Sequence, residues 1–125
     1  MKVVDTSVAV DHLRGMATAA ELLTEAVAGG ETLVANEITR FELLAGVRSA
    51  EVDALESFCS AIAWIPMDEE VAREAGRLAR RLRRSKSGID DADYVIAATA
   101  ILLEADLLTT NVRHFPMMKG IRPPY

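Results

Sequence analysis

Between Asp90 and Glu104 the chain reads DDADYVIAATAILLE, and from Tyr94 to Leu103 it is apolar on nearly every side of a helix, Thr99 excepted. A helix apolar all round belongs inside a protein or a membrane. Ten residues fall well short of the ~20 needed to span a bilayer, so this helix is expected inside a protein core. The rest of the chain must cover it, and its pattern shows how. Short β-like runs alternate with longer helical ones, which indicates a parallel sheet covered on both faces.

The expected strands are Lys2 to Val4, Thr32 to Ala35, Ala63 to Ile65 and Leu107 to Thr109. Helical patterns run from Ser7 to Arg14, closed by Gly15, and from Ala17 to Ala28, closed by Gly29 and Gly30. A third starts at Asn36 or at Thr39 and runs to about Val47. Thr39-x-x-Glu42 has the form of a capping box, which makes Thr39 a legitimate start. A fourth covers Glu51 to Ala61. A fifth is capped by Asp68, with Glu69 and Glu70 in its first turn and Val71, Ala75, Leu78 and Leu82 as an apolar stripe. Ser85 to Gly88 reads as a loop, and the chain ends in a Pro-rich tail.

The 125 residues suit a single domain, residues 1–125, and only 5% are aromatic, so Ala, Val, Leu and Ile must build the core. Cys59 is the single cysteine, which excludes an internal disulfide and a multi-Cys zinc site. No signal-peptide pattern follows Met1. These features read as a cytoplasmic protein with no membrane attachment. The net charge of −5 argues against non-specific nucleic-acid binding by the chain as a whole.

Against that background the run Lys2 to Val10, KVVDTSVAV, places a carboxylate inside an apolar stretch. An ionised Asp there is costly unless something pairs with it. Asp5 either caps a turn at the strand's end or sits where a cation binds. Ligands of parallel sheets bind outside the carboxyl ends of the strands, and Asp5 lies at one such end. Glu42 is either the acidic half of the capping box or a second ligand. Asp90 and Asp93 are three apart on one helix face, where a divalent cation would relieve their repulsion and the helix dipole offers the simpler account. Asn111 follows the last strand and points to the same edge, or else serves a turn. Hard cations such as Mg²⁺ or Mn²⁺ take oxygen ligands of this kind. His12 and His114 stand isolated and carry no functional expectation.

Six of the ten residues from Arg77 to Lys86 are cationic and none is acidic. Arg77, Arg80, Arg81 and Arg84 are expected on one helix face, either merely solvated or a track for phosphates.

The pieces Val4-Asp5-Thr6-Ser7, Thr39-x-x-Glu42-Leu43 with Gly46, Asp93-x-x-Ile96-Ala97-Ala98-Thr99-Ala100, and Leu108-Thr109-Thr110-Asn111 with Phe115 resemble those of the PIN-domain family. Within it, they resemble in particular the small VapC-type toxins of prokaryotic toxin–antitoxin pairs. The pieces run in the family's order over nearly the whole chain. The resemblance implies a three-layer PIN-like α/β fold with a mostly parallel sheet of about four to five strands. It also implies a metal-dependent endoribonuclease. Asp5, Glu42 and Asp93 would hold Mg²⁺ or Mn²⁺, Ser7 would support Asp5, and Asn111 would assist catalysis. Family members often carry a fourth acid near the last strand, where this chain has Asn111 and His114. The implied partners are an RNA substrate, a VapB-type antitoxin and a second copy in a homodimer. Two rival readings are an inactive PIN scaffold and a receiver-like phosphoacceptor domain. The second lacks adjacent acids after the first strand and an Asp after the third, which ends in Ile65-Pro66-Met67.

Overall fold

The computed structural model describes residues 1–85 and 88–125. Four strands, β1 (Lys2–Val4), β2 (Leu33–Asn36), β3 (Ala63–Ile65) and β4 (Asp106–Leu108), form one sheet in the order β3-β2-β1-β4. All three pairings are parallel, and Val3 stands opposite Val34 on one side and Leu107 on the other. The helices are α1 (Thr6–Leu13), α2 (Ala17–Ala28), α3 (Glu37–Gly46), α4 (Val52–Ala61), α5 (Glu69–Leu82) and α6 (Asp91–Leu103).

Strand alternation divides the core in two. Val3, Val34 and Leu107 pack with α5, α6 and Phe115. Val4, Leu33 and Ala35 pack on the other face with Val8 and Ala9 of α1, Leu23 of α2, and Leu55 and Phe58 of α4. The expected sheet with helices on both faces is therefore present, with four strands. Seven consecutive residues of α6, Tyr94 to Ala100, are buried, as its all-round apolar sequence demands.

Asn36 settles the start of α3. Its Oδ1 accepts the Ile38 N–H at 2.9 Å, so the helix begins beside Asn36 and Thr39 lies in its first turns, fully buried. The Thr39-x-x-Glu42 capping box does not form, because Glu42 reaches across to α1 instead. Asp68 caps α5 as expected, accepting the Val71 N–H at 3.0 Å. The fourth helix starts later than its pattern suggests, behind a 3₁₀ turn over Ser49–Glu51. The last strand is displaced by one residue, so Thr109 lies just beyond it. The loop expected over Ser85 to Gly88 includes Lys86 and Ser87, which lie outside the described residues.

The strand order fixes where a ligand site belongs. The chain runs outward from β1 to β2 and β3, then returns to place β4 on the far side of β1. Such a reversal opens a crevice at the carboxyl ends of the strands that flank it.

Candidate active site

At that crevice Asp5 leaves β1, and its backbone N–H donates to the Leu108 carbonyl at the end of β4. Its own carbonyl accepts from Val8 and Ala9, so the backbone begins α1 while the side chain caps nothing. The carboxylate is free for other work, although the residue is only 3% exposed. Both hydrogen bonds it accepts fall on Oδ2, from Ser7 Oγ at 2.7 Å and Thr109 Oγ1 at 2.7 Å. Those hydroxyls are fixed in turn, since Ser7 Oγ accepts the Thr110 N–H and Thr109 Oγ1 the Asn111 N–H.

Glu42 and Asp93 repeat the arrangement. Thr6 Oγ1 donates to Glu42 Oε1 at 2.6 Å. The Asp90 N–H donates to Asp93 Oδ2 at 2.9 Å, and His114 Nδ1 lies 3.3 Å from the same oxygen. Each acid thus has one oxygen held, while the other takes no hydrogen bond from the described residues. Burial pushes the Asp93 carboxyl above its ordinary value, and the nearby Asp5 and Asp90 carboxylates add to the rise. The Asp90 N–H and His114 oppose it.

These residues line one cleft of about 390 Å³, together with Val10, Asp11, Asp90, Thr110 and Asn111. All five acids expected or found there point to one chemistry, for no Lys or Arg is among the lining residues. Among the described residues, no three His, Cys, Asp or Glu side chains stand close enough together to hold a metal ion as they are placed. The donor set is all oxygen apart from His114, which fits a hard cation.

The structure brings Asp5, Glu42, Asp93, Asn111, Ser7 and Asp90 together as expected. Asp90 takes its place chiefly through its backbone, which anchors Asp93. The sequence reading does not single out Thr6, Asp11, Thr109 or His114. Three of them had a legible signal: Thr6 adjoins Asp5, Thr109 precedes Asn111 by two residues, and His114 follows it by three. The reading of His114 as isolated is corrected, since its Nδ1 stands 3.3 Å from Asp93 Oδ2.

The four arginines lie outside the cleft lining. They do not share one helix face, because α5 ends at Leu82 and Arg84 sits in the turn beyond it. Arg77 is paired with Glu74 through two hydrogen bonds. Arg80, Arg81 and Arg84 are exposed.

The PIN domain, as a family sequence model, matches residues 2–119. The chain belongs to the PIN-domain family. This PIN domain is 61% identical over all 125 residues to Ribonuclease VapC19 of Mycobacterium tuberculosis, and covers that protein's whole length. Over its full length it is also 38% identical to Ribonuclease VapC10 of the same organism, covering 93% of it. Among solved structures it overlays a VapBC2 complex from Rickettsia felis, bound to a promoter DNA fragment, with a TM-score of 0.81. That match has 22% identity and covers 96% of this chain and 94% of the other. A toxin–antitoxin complex from Klebsiella pneumoniae gives a TM-score of 0.79 at 21% identity, covering 100% and 98%. Those likenesses show that this PIN domain shares their fold.

Proposed function

We propose that this chain is the endoribonuclease toxin of a VapBC-type toxin–antitoxin pair, hydrolysing RNA phosphodiester bonds with Mg²⁺ or Mn²⁺ in the acidic cleft. The observation that carries the metal reading is the repeated geometry of Asp5, Glu42 and Asp93. Each is anchored through one oxygen by a hydroxyl or N–H, which leaves the other oxygen available. The ribonuclease reading is supported by full-length relatives that carry that name. The antitoxin is supported by structural relatives solved as toxin–antitoxin complexes. A homodimer is implied by the family resemblance.

Asp5 and Asp93 would be the main ligands of the cation, and Glu42 would bind it or orient the attacking water. When bound, the cation supplies a lowered pKa for water and positive charge against the phosphoryl oxygens. Without it, five acids face a phosphate with no Lys or Arg among them, so metal and substrate binding are coupled. Ser7, Thr109 and Thr6 hold the acids in place. Asn111, whose backbone N–H is tied to Thr109, offers its amide to a phosphate or a ligand.

The test compares RNA cleavage by the parent, Asp5→Asn and Asp93→Asn, with and without Mg²⁺ or Mn²⁺. Cleavage is expected to need the cation and to fall at least ~100-fold in either variant, since charge stabilisation by a metal contributes several kcal/mol. Calorimetric titration with Mn²⁺ is expected to show weakened binding in both. Undiminished cleavage by both variants overturns the assignment.

A further inference from the structure

A cleft lined by five acids and no Lys or Arg gains little from phosphate contacts beyond those a cation makes. A single-stranded RNA lying across it must be held by other means, and the general alternative is stacking of bases on aromatic rings. The chain has six aromatic residues besides histidine. Phe58, Tyr94 and Phe115 are buried. Trp64 is covered by the Arg40 guanidinium, 4.1 Å from its ring, and donates its N–H to the Cys59 carbonyl. Phe41 is exposed on α3 next to Glu42, but like Tyr125 it does not itself line the cleft, and no side-chain hydrogen bond ties its ring to a residue that does.

Tyr125 is different. Its phenol donates to Asp11 Oδ2 at 2.6 Å, across 114 residues of sequence, and Asp11 lines the cleft on α1. The residue remains 38% exposed. Burial and the Asp11 carboxylate push the phenol well above its ordinary value, so the hydroxyl stays protonated and keeps donating. Pro123 and Pro124 precede it and fix two φ angles of the backbone that presents the ring.

We infer that Tyr125, anchored by Asp11 at the rim of the acidic cleft, is a stacking platform for an unpaired base of the RNA beside the scissile phosphate. The ring contributes binding without sequence-specific hydrogen bonds, because every base has a π-face. It favours single-stranded over duplex RNA, since a paired base has no free face to offer. Asp11 acts through Tyr125 and is a positioning residue. The inference rests on the ribonuclease reading.

The experiment measures steady-state cleavage of a fluorescent ~12-nucleotide single-stranded RNA, and of its duplex, by the full chain with Mn²⁺. The variants are Tyr125→Ala, Tyr125→Phe and Tyr125→Trp. Tyr125→Ala is expected to raise KM for the single strand about tenfold, with kcat little changed. Phe and Trp keep a ring but lose the hydroxyl's bond to Asp11, and are expected to fall between the parent and Tyr125→Ala. The duplex is expected to be cut poorly by all four proteins. A Phe variant as impaired as Ala would mean that the bond to Asp11, and not the ring, is what matters, and would overturn the proposal. So would an unchanged KM in Tyr125→Ala with the parent active, which leaves the ribonuclease reading intact. A parent that neither binds nor cuts RNA overturns both.

Discussion

Asp5 shows how one residue can occupy a cap position without capping. Its backbone opens α1 while its carboxylate turns to Ser7 and Thr109. The two roles that the sequence leaves open are thus divided between main chain and side chain. Sequence pattern exposes the acid because a carboxylate interrupts an apolar run. It marks Thr109 only as a neighbour of Asn111 and not as a donor to Asp5, which lies 104 residues away. Thr109→Val keeps the shape and removes one of two donors from a buried carboxylate. The expected loss is about 1–3 kcal/mol of unfolding free energy in the metal-free protein, read by urea denaturation. Asp93 gives a pH signature. Its carboxyl is raised chiefly by burial, so the folded state binds the proton more tightly than the unfolded one. Stability from this group is therefore greatest at low pH and falls as pH rises from the ordinary carboxylate value through the raised folded value. Asn has no proton to release. The metal-free parent is expected to lose stability relative to Asp93→Asn across that window, with a constant difference above it. Urea midpoints of the two proteins that run parallel at all pH values would contradict this.

At the scale of elements, the junction of β2 and α3 governs where Glu42 can point. Asn36 is buried at 1% exposure and uses both ends of its amide. Oδ1 caps α3, and Nδ2 donates to Thr99 Oγ1 at 3.0 Å, which itself donates to the Val95 carbonyl. One side chain therefore joins the strand, the helix that carries Glu42 and the helix that carries Asp93. The sequence leaves Asn36 and Thr39 as equal candidates for the start of α3, because both have good local chemistry. The tertiary tie to Thr99, 63 residues away, favours Asn36. Local rules do better where no such tie competes, as at Asp68 and α5, or where burial is complete, as along α6. Asn36→Ala is expected to cost about 2 kcal/mol, combining a lost N-cap with a lost buried hydrogen bond. Chemical denaturation measures the loss. Cleavage is expected to fall more than stability explains, because Glu42 and Asp93 lose their common brace. A stability loss with unaltered kcat under folded conditions would separate the brace from the site.

Across the whole molecule, charge is sorted in a way that the net value of −5 conceals. The acids line the crevice at the carboxyl edge of the sheet, while three of the arginines without an ion pair among the described residues, Arg80, Arg81 and Arg84, lie at the end of α5. These two regions are neighbours. Arg83 Nη2, just past α5, donates to Asp91 Oδ1 at 2.7 Å, in the first turn of the helix that carries Asp93. Arg83 is consumed by that pair and by the Tyr94 ring, 5.7 Å away, and Arg77 by Glu74. Arg80, Arg81 and Arg84 are exposed and form no ion pair among the described residues. Helix periodicity could place arginines on α5, but only the packed structure shows which of them are spent on acids. Whether the three serve as a track for RNA phosphates is a matter of salt dependence. Replacing Arg80, Arg81 and Arg84 with Gln is expected to weaken RNA binding and to reduce the slope of log K against log salt by up to roughly 2, at about 0.7 per single-strand phosphate contact. Cleavage of saturating RNA should change little, because none of the three lines the cleft. Binding isotherms between low and moderate salt measure the slope. An unchanged slope would reduce the α5 patch to a solvated surface and leave the metal and Tyr125 to account for how RNA is held.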